Sequence, residues 1–438
     1  MKRRIIACIL TLVFLYLTKN FYTIDTKDLR LFIVFLTIGW LLCYKLVDYL
    51  ARLKIIEHNS RIDIVFFCAI IITMFLPMSK INHDKISVQE NRTLTRYTPF
   101  IKNGKLNFNY GHDFENWFND RFNHREWLIA LNSKLNLFLN RKLQSETAMQ
   151  GKENWLFTTR WNSVAMFENK NLFTDKELQK IKQNMQALQN WAQKHQMHFY
   201  ILLIPDKESI YGEYYPKGHK KENDVSRLKQ TTDYLKQNTN IPILSMYEPL
   251  MAEKKNHIVF YKTGTHWNLR GAYIGYLEIM KNLQHDFPDL KILTEEDFNI
   301  TPKVEADVDI ASALGVDAYK TFPEKDLTYE TFELKQPHTS QQHKFLNKKK
   351  RIEEYSYVSN LPEMNLKAVF LADSQFLRLN WYTAESFKEM KHYYVGYGRM
   401  YDLPFISQDI IDFKPDIFVL ETGERMLERL LKIEIPNN

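Results

Sequence analysis

The chain has 438 residues, 45% of them hydrophobic and 14% aromatic, with only 13 Gly and 14 Pro. That composition excludes a disordered or fibrous protein, and the length exceeds what one core usually fills, so at least two structural units are expected. A formal net charge of +7 suits an anionic partner, whether lipid headgroup, polysaccharide or nucleic acid, and equally a plain solvated basic surface.

Three apolar stretches come first, at residues 5–18, 31–44 (extending towards Leu50) and 62–78. Each has a charge-free core of roughly 14 to 16 residues, a little short of the ~20 of a straight spanning helix but within reach of snorkelling flanks. Lys2, Arg3 and Arg4 would also suit a signal peptide; no small-x-small cleavage site follows, and Lys19, Asn20 and Phe21 stand there instead. Three spans are therefore expected. Lys45, Arg52, Lys54 and Arg61 hold the second loop in the cytoplasm, so everything after the third span faces outward. The three cysteines, Cys8, Cys43 and Cys68, all lie in this part, which rules out a disulfide scaffold. The expectation is a multi-pass cell-membrane protein with the lipid bilayer as a partner: residues 1–80 form the transmembrane segment and residues 81–438 an extracytoplasmic domain.

Residues 91–135 are rich in aromatics and read as an amphipathic lead-in. Thereafter helix and strand alternate. Leu178, Ile181, Met185, Leu188 and Trp191 recur at helical spacing, and the apolar run 198–204 follows as a buried strand ended by Pro205. A helix at 225–237, a short strand at 243–244, a strand at 257–260 and a helix at 269–283 continue the pattern. Residues 338–351, with Lys348, Lys349, Lys350 and Arg351 in a row, read as a polar surface excursion. Strands at 367–371 and 416–420, each followed by a helical stretch (375–390 after the first), complete it. Such alternation predicts an α/β fold, a parallel sheet with helices on both faces, whose chemistry gathers beyond the carboxyl ends of the strands.

Ser374 follows the strand at 367–371 through Ala372 and Asp373 and precedes the predicted helix. A hydroxyl there lies beside a positive helix end and free backbone N–H groups, which suits acyl transfer; the alternative is an ordinary helix N-cap. A serine needs a base. Among thirteen histidines, His195 and His343 lie in polar surroundings, whereas His266, in Tyr261-Lys-Thr-Gly-Thr-His-Trp-Asn268, again follows a strand. No zinc-type spacing and no Gly-rich phosphate loop occur, so neither a metal nor another cofactor is expected. An outward-facing domain argues against nucleic acid as a partner.

Several stretches resemble the bacterial SGNH-type acetyltransferases of the alginate O-acetylation proteins AlgX and AlgJ and the related DHHW proteins. They are Glu90-Asn-Arg-Thr-Leu94 with Asp120 and Arg121 downstream, Gly151-Lys-Glu-Asn-Trp-Leu-Phe157, Ile204-Pro-Asp-Lys-Glu-Ser-Ile-Tyr211, Thr265-His-Trp-Asn268 with Gly271-Ala272, Ala372-Asp-Ser374, and Lys414-Pro-Asp-Ile417 with Glu424-Arg425. The resemblance implies an SGNH-hydrolase-like fold with Ser374 as nucleophile and His266 as base. It adds Asp373, Thr265, Trp267, Asn268 and Arg425 as supporting or substrate-binding candidates. Gly264 stands where the family has the aspartate of the triad, and Ala372 replaces a glycine. Either another acceptor orients His266, or an acid elsewhere substitutes, or activity is lost. The implied activity is acetyl transfer to hydroxyls of a cell-surface or exported polysaccharide, with a membrane-bound O-acyltransferase partner supplying acetyl groups. A glycan esterase would use the same pair, and a silent glycan-binding scaffold would fit Gly264. Trp155 and Trp267 read first as core residues and second as walls for a sugar.

Overall fold

The computed structural model describes residues 81–436 apart from 88, 91, 103, 123–124, 348–351 and 397–400. The chain forms two compact units that part between Lys134 and Leu135. The described part of the first unit contains the helix Tyr110–Arg121 and the start of the helix Arg125–Phe138. Trp117 packs there against Tyr97 and Phe114. Arg121 donates to the carbonyls of Asn82, Asp84 and Thr95, and the Thr95 N–H donates to Asp120. The family-like Asp120-Arg121 pair is thus a staple for the extended chain around it.

The second unit is built on a seven-stranded sheet. Its strands are β1 (His198–Ile204), β2 (Ile243–Ser245), β5 (Thr339–Asn347), β6 (Ile352–Ser359), β7 (Lys367–Ala372), β8 (Glu389–Val395) and β9 (Ile417–Gly423), while β3 (Phe298–Val304) and β4 (Thr328–Leu334) form a separate hairpin. Across the sheet the order is β5-β6-β8-β7-β9-β1-β2. The run from β8 to β2 is parallel; β6 pairs antiparallel with β8, and β5 antiparallel with β6. The sheet is therefore mixed, which corrects the expectation of a parallel one. Three strands of the sheet were missed, β5, β6 and β8, the last overlapping the end of the helix expected at 375–390; β5 is the most exposed of them. A polar edge strand buries no face, so it carries no apolar alternation and reads as a loop. The tract Lys348 to Arg351 lies outside the described residues.

Alternate side chains of the buried strands serve two cores. Phe199, Ile201 and Leu203 of β1, with Val369 and Leu371 of β7, pack under the helices α1 (Asp175–Lys194) and α2 (Arg227–Asn238). Tyr200, Leu202, Phe370 and Ala372 face the other way, against α3 (Leu269–Leu283) and the β3–β4 hairpin. This period-two division of a continuously apolar run is what a strand buried on both faces requires. Helix α1 starts at a capping box between Thr174 and Glu177.

Two further expectations are corrected. No helix among the described residues is long and apolar enough to cross a membrane. The 20-residue α1 has the length, but carries Lys176, Lys180 and Lys182 opposite its apolar stripe. The three apolar stretches themselves lie outside the described residues. Among the described residues, therefore, no spanning helix supports the predicted transmembrane segment, the multi-pass membrane localisation, the lipid-bilayer partner or a membrane-bound partner docked on it. The helix predicted at 375–390 is instead a set of single turns, Phe376–Arg378, Asn380–Thr383 and Ala384–Ser386, followed by β8. Phe376, Tyr382 and Phe387 all turn into the core, which a single straight helix through these positions would not allow.

Candidate active site

Three parallel strands end side by side at the carboxyl edge of the sheet. Ser374 follows β7, Glu424 and Arg425 follow β9, and Asp206 and Lys207 follow β1. The turn carrying Ser374 is shaped by its neighbours: the Asp373 N–H donates to Glu421 at 2.6 Å, and the Gln375 N–H donates to Asp373 Oδ1 at 2.9 Å. Asp373 also lies 3.5 Å from the Arg429 guanidinium. It therefore sets the turn, and no contact joins it to His266.

His266 sits on a tight excursion between Phe260 and Trp267, which pair as an isolated antiparallel bridge, instead of after the strand expected at 257–260. The Tyr261 N–H donates to the His266 carbonyl, and the Asn268 N–H to Val259. Asn268 then caps α3, accepting from the Gly271 N–H while donating to Ile258. The excursion is tied to the serine turn by Trp267 and Gln375. The indole N–H donates to the Gln375 carbonyl at 2.9 Å, the Trp267 N–H donates to Gln375 Oε1, and Gln375 Nε2 donates to Thr265. Trp155 and Trp267 are both buried, so they are core residues and offer no wall to a sugar.

This stitching brings Ser374 Oγ to 2.9 Å from His266 Nε2. On the far side of the ring, Nδ1 lies 2.7 Å from Asp307 Oδ2, which also accepts the His266 backbone N–H at 3.2 Å. A carboxylate can only accept, so Nδ1 carries the proton and Nε2 is left to accept from the serine hydroxyl. Asp307 occupies the triad position and was not singled out from the sequence. It lies in the connection after β3, 41 residues from His266, in Glu305-Ala-Asp307-Val-Asp309.

Gly264 explains the substitution. A Cβ on Gly264 would stand 2.1 Å from both Cγ and Oδ2 of Asp307. No side chain fits there while Asp307 holds the imidazole, so the missing aspartate and the relocated one are a single arrangement. Gly264 was the one signal in the sequence that could have prompted a search for a distant acid.

Electrostatics follow from this packing. Burial alone would lower the His266 pKa; the charge and hydrogen bond of Asp307 outweigh it and hold the imidazole above its ordinary value. Burial would raise the Asp307 carboxyl, but His266 and Arg378 hold it well below the usual carboxylate range. Arg378 approaches Asp307 Oδ1 at 3.5 Å and lies over the Tyr261 ring. Asp309 accepts the Thr265 N–H at 2.9 Å and its hydroxyl at 2.5 Å; burial first, then the Asp307 charge, raises its pKa. Thr265 is thus an anchor for the excursion. Arg425 is buried at the end of β9, with its guanidinium on Asp206 at 2.7 Å and Glu208 at 3.6 Å, and braces the strand ends. His266, Asp307 and Asp309 each place a possible metal-ligand atom within 4.8 Å of the others. Their donors are already committed to one another and to Thr265.

Residues 148–352 match the model of a family described as SGNH hydrolase-like domain, acetyltransferase AlgX; the match includes His266 and Asp307 and ends before Ser374. Comparison with curated proteins gives no match. Among solved structures the chain is similar to Bacillus cereus PatB1 with a sulfonyl adduct, at 15% identity over 66% of this chain and 98% of that one, TM-score 0.46. It is similar to a DHHW family protein from Eubacterium siraeum DSM 15702, at 12% identity over 68% and 98%, TM-score 0.47. It is also similar to the O-acetyltransferase domain of Pseudomonas putida AlgJ, at 14% identity over 66% and 94%, TM-score 0.41. The family match runs through the segments that carry the imidazole and its acid, so the likeness to the SGNH hydrolase-like family of the acetyltransferase AlgX rests on residues 148–352.

Proposed function

We propose that this protein is an O-acetyltransferase that modifies hydroxyl groups of a polysaccharide through an acetyl–Ser374 intermediate. The observation that carries the reading is the unbroken relay of Ser374 Oγ, His266 and Asp307, at 2.9 and 2.7 Å. Ser374 Oγ attacks the donor's acetyl carbonyl while His266 Nε2 takes the hydroxyl proton; the leaving group departs with that proton. A sugar hydroxyl then attacks the acetyl–serine, gives its proton to His266, and Ser374 regains it as the ester leaves. Asp307 holds the productive tautomer and stabilises the imidazolium in both steps. The family match over residues 148–352 supports an acetyltransferase-type activity, and the relay supports the serine route.

The esterase reading uses the same acyl-enzyme and differs only in whether water or a sugar captures it. The scaffold reading rested on Gly264, and loses that support because Asp307 fills the space a side chain would need. Intact-mass analysis after incubation with an activated acetyl ester should show an adduct of about 42 Da, one acetyl on one serine, that is absent in Ser374→Ala. Adding an oligosaccharide should then move label to the glycan. Label that always ends as free acetate defeats the transferase reading, and an adduct that persists in Ser374→Ala defeats the nucleophile.

A further inference from the structure

Lys207, at the end of β1, has no exposed surface, and the chemistry proposed above gives it no step. Its amine meets three backbone carbonyls of the excursion that carries His266: Tyr261 and Lys262 at 3.2 Å, and Gly264 at 2.5 Å. The ring centroids of Trp155 and Phe157 lie 5.8 and 5.4 Å away. An ammonium has three N–H groups, one for each carbonyl. A neutral amine has two and a lone pair, so its third carbonyl would face repulsion in a buried place.

We propose that Lys207 is a positioning residue whose protonated amine, by holding the carbonyls of Tyr261, Lys262 and Gly264, keeps His266 in register between Asp307 and Ser374, so that loss of its proton sets the alkaline limit of the site. The inference rests on the reading of Ser374, His266 and Asp307 as the reacting groups. The charges that act on Lys207 are Glu208 beside it in the chain, Asp309 and Asp307 from the connection after β3, and Arg425 from the end of β9. Burial, helped by Arg425, outweighs the three carboxylates and pushes the amine down to about 8.

The direction of linkage separates this effect from unfolding. In the unfolded chain a lysine titrates near ~10.4, so between about 8 and that value the unfolded state binds more protons than the folded one. The contribution of Lys207 to folding stability therefore rises with pH across the same window in which register is lost. Reactivity falls there while the fold, as far as this group is concerned, becomes firmer.

The test labels Ser374 in the full chain with a fluorophosphonate: Oγ attacks phosphorus, fluoride leaves, and His266 takes the proton. Intact mass reads the rate against pH. With an amine at about 8, the wild-type rate, divided by that of Lys207→Arg at the same pH to cancel the titration of His266, should fall about tenfold from pH 7 to pH 9 and about tenfold more by pH 10. In Lys207→Arg, whose guanidinium stays charged, the fall should be absent to pH 10. Lys207→Met should be slower at pH 7 by at least ~tenfold, the order expected for a displaced catalytic group, with no alkaline limb. Because either variant can fail to fold, the wild-type protein supplies a second readout. The low-field Nδ1 proton signal of His266 should fade with a midpoint at about 8 without a matching drop in Tm. A Lys207→Arg limb still centred there, or a His266 signal unchanged through pH 10, overturns the role of Lys207. If Ser374 takes no label at any pH, the reacting pair is wrong, and the wild-type His266 signal still decides for or against Lys207.

Discussion

The serine and the histidine reach each other by different means. Ser374 is delivered by β7, a strand paired on both sides and buried on both faces, so its place follows from the sheet itself. His266 has no strand behind it. It rides on a short excursion whose position is imposed by side chains from elsewhere: Asp307 and Asp309 from the connection after β3, Lys207 from β1, and Gln375 from the serine turn. Reactive groups set by backbone pairing should tolerate neighbouring substitutions; groups held by distant side chains should fail one support at a time.

The contrast breaks most sharply at Asp307. Asp307→Asn should lower kcat by about 10³- to 10⁴-fold, because an amide in that place stabilises the wrong imidazole tautomer. It should also move the acid limb of the pH profile downward. The carboxylate raises the His266 pKa, so the base becomes available only above its ordinary value; without that charge it titrates lower. A pH–rate profile for the variant and the wild type checks both.

Next in size is Gly264→Ala, whose methyl would stand 2.1 Å from the Asp307 carboxylate. A shift of the acid by about an ångström should cost roughly 10²-fold in kcat with little change in KM. A sharper version combines Gly264→Asp with Asp307→Ala, returning the acid to the position it has in relatives. The double variant should recover at least about tenfold over Asp307→Ala alone if an acid near Nδ1 is what matters. No recovery would mean that the connection after β3 contributes more than a carboxylate.

The smallest effect is expected at Gln375→Ala. It removes two of the hydrogen bonds between the serine turn and the excursion, worth roughly 1–3 kcal/mol together, and leaves the indole bond to the Gln375 carbonyl in place. Tm should fall by several degrees and activity by no more than about tenfold, read by thermal melting beside steady-state rates.

Local chemistry in the sequence was enough for the elements that bury their own apolar pattern. The strand at His198–Ile204, the helices Asp175–Lys194 and Leu269–Leu283, and the place of Ser374 after Lys367–Ala372 all follow from periodicity and punctuation along the chain. The pairing of Ser374 with His266 was expected from reading both as following apolar strands and from the resemblance; a strand precedes Ser374 but not His266. What failed were features without a local signature. The edge strand Thr339–Asn347 is polar because it buries neither face, and residues after Gln375 break into single turns because their aromatics point to different parts of one core.

Only the tertiary structure decided which acid completes the relay, how Gly264 makes room for it, and that Lys207 is spent on three carbonyls. An aspartate 41 residues away has no periodic relation to the histidine it orients. Hydrogen bonds between side chains and distant backbone depend on where folded segments meet, and a one-dimensional pattern carries hydrophobic burial far better than it carries such meetings.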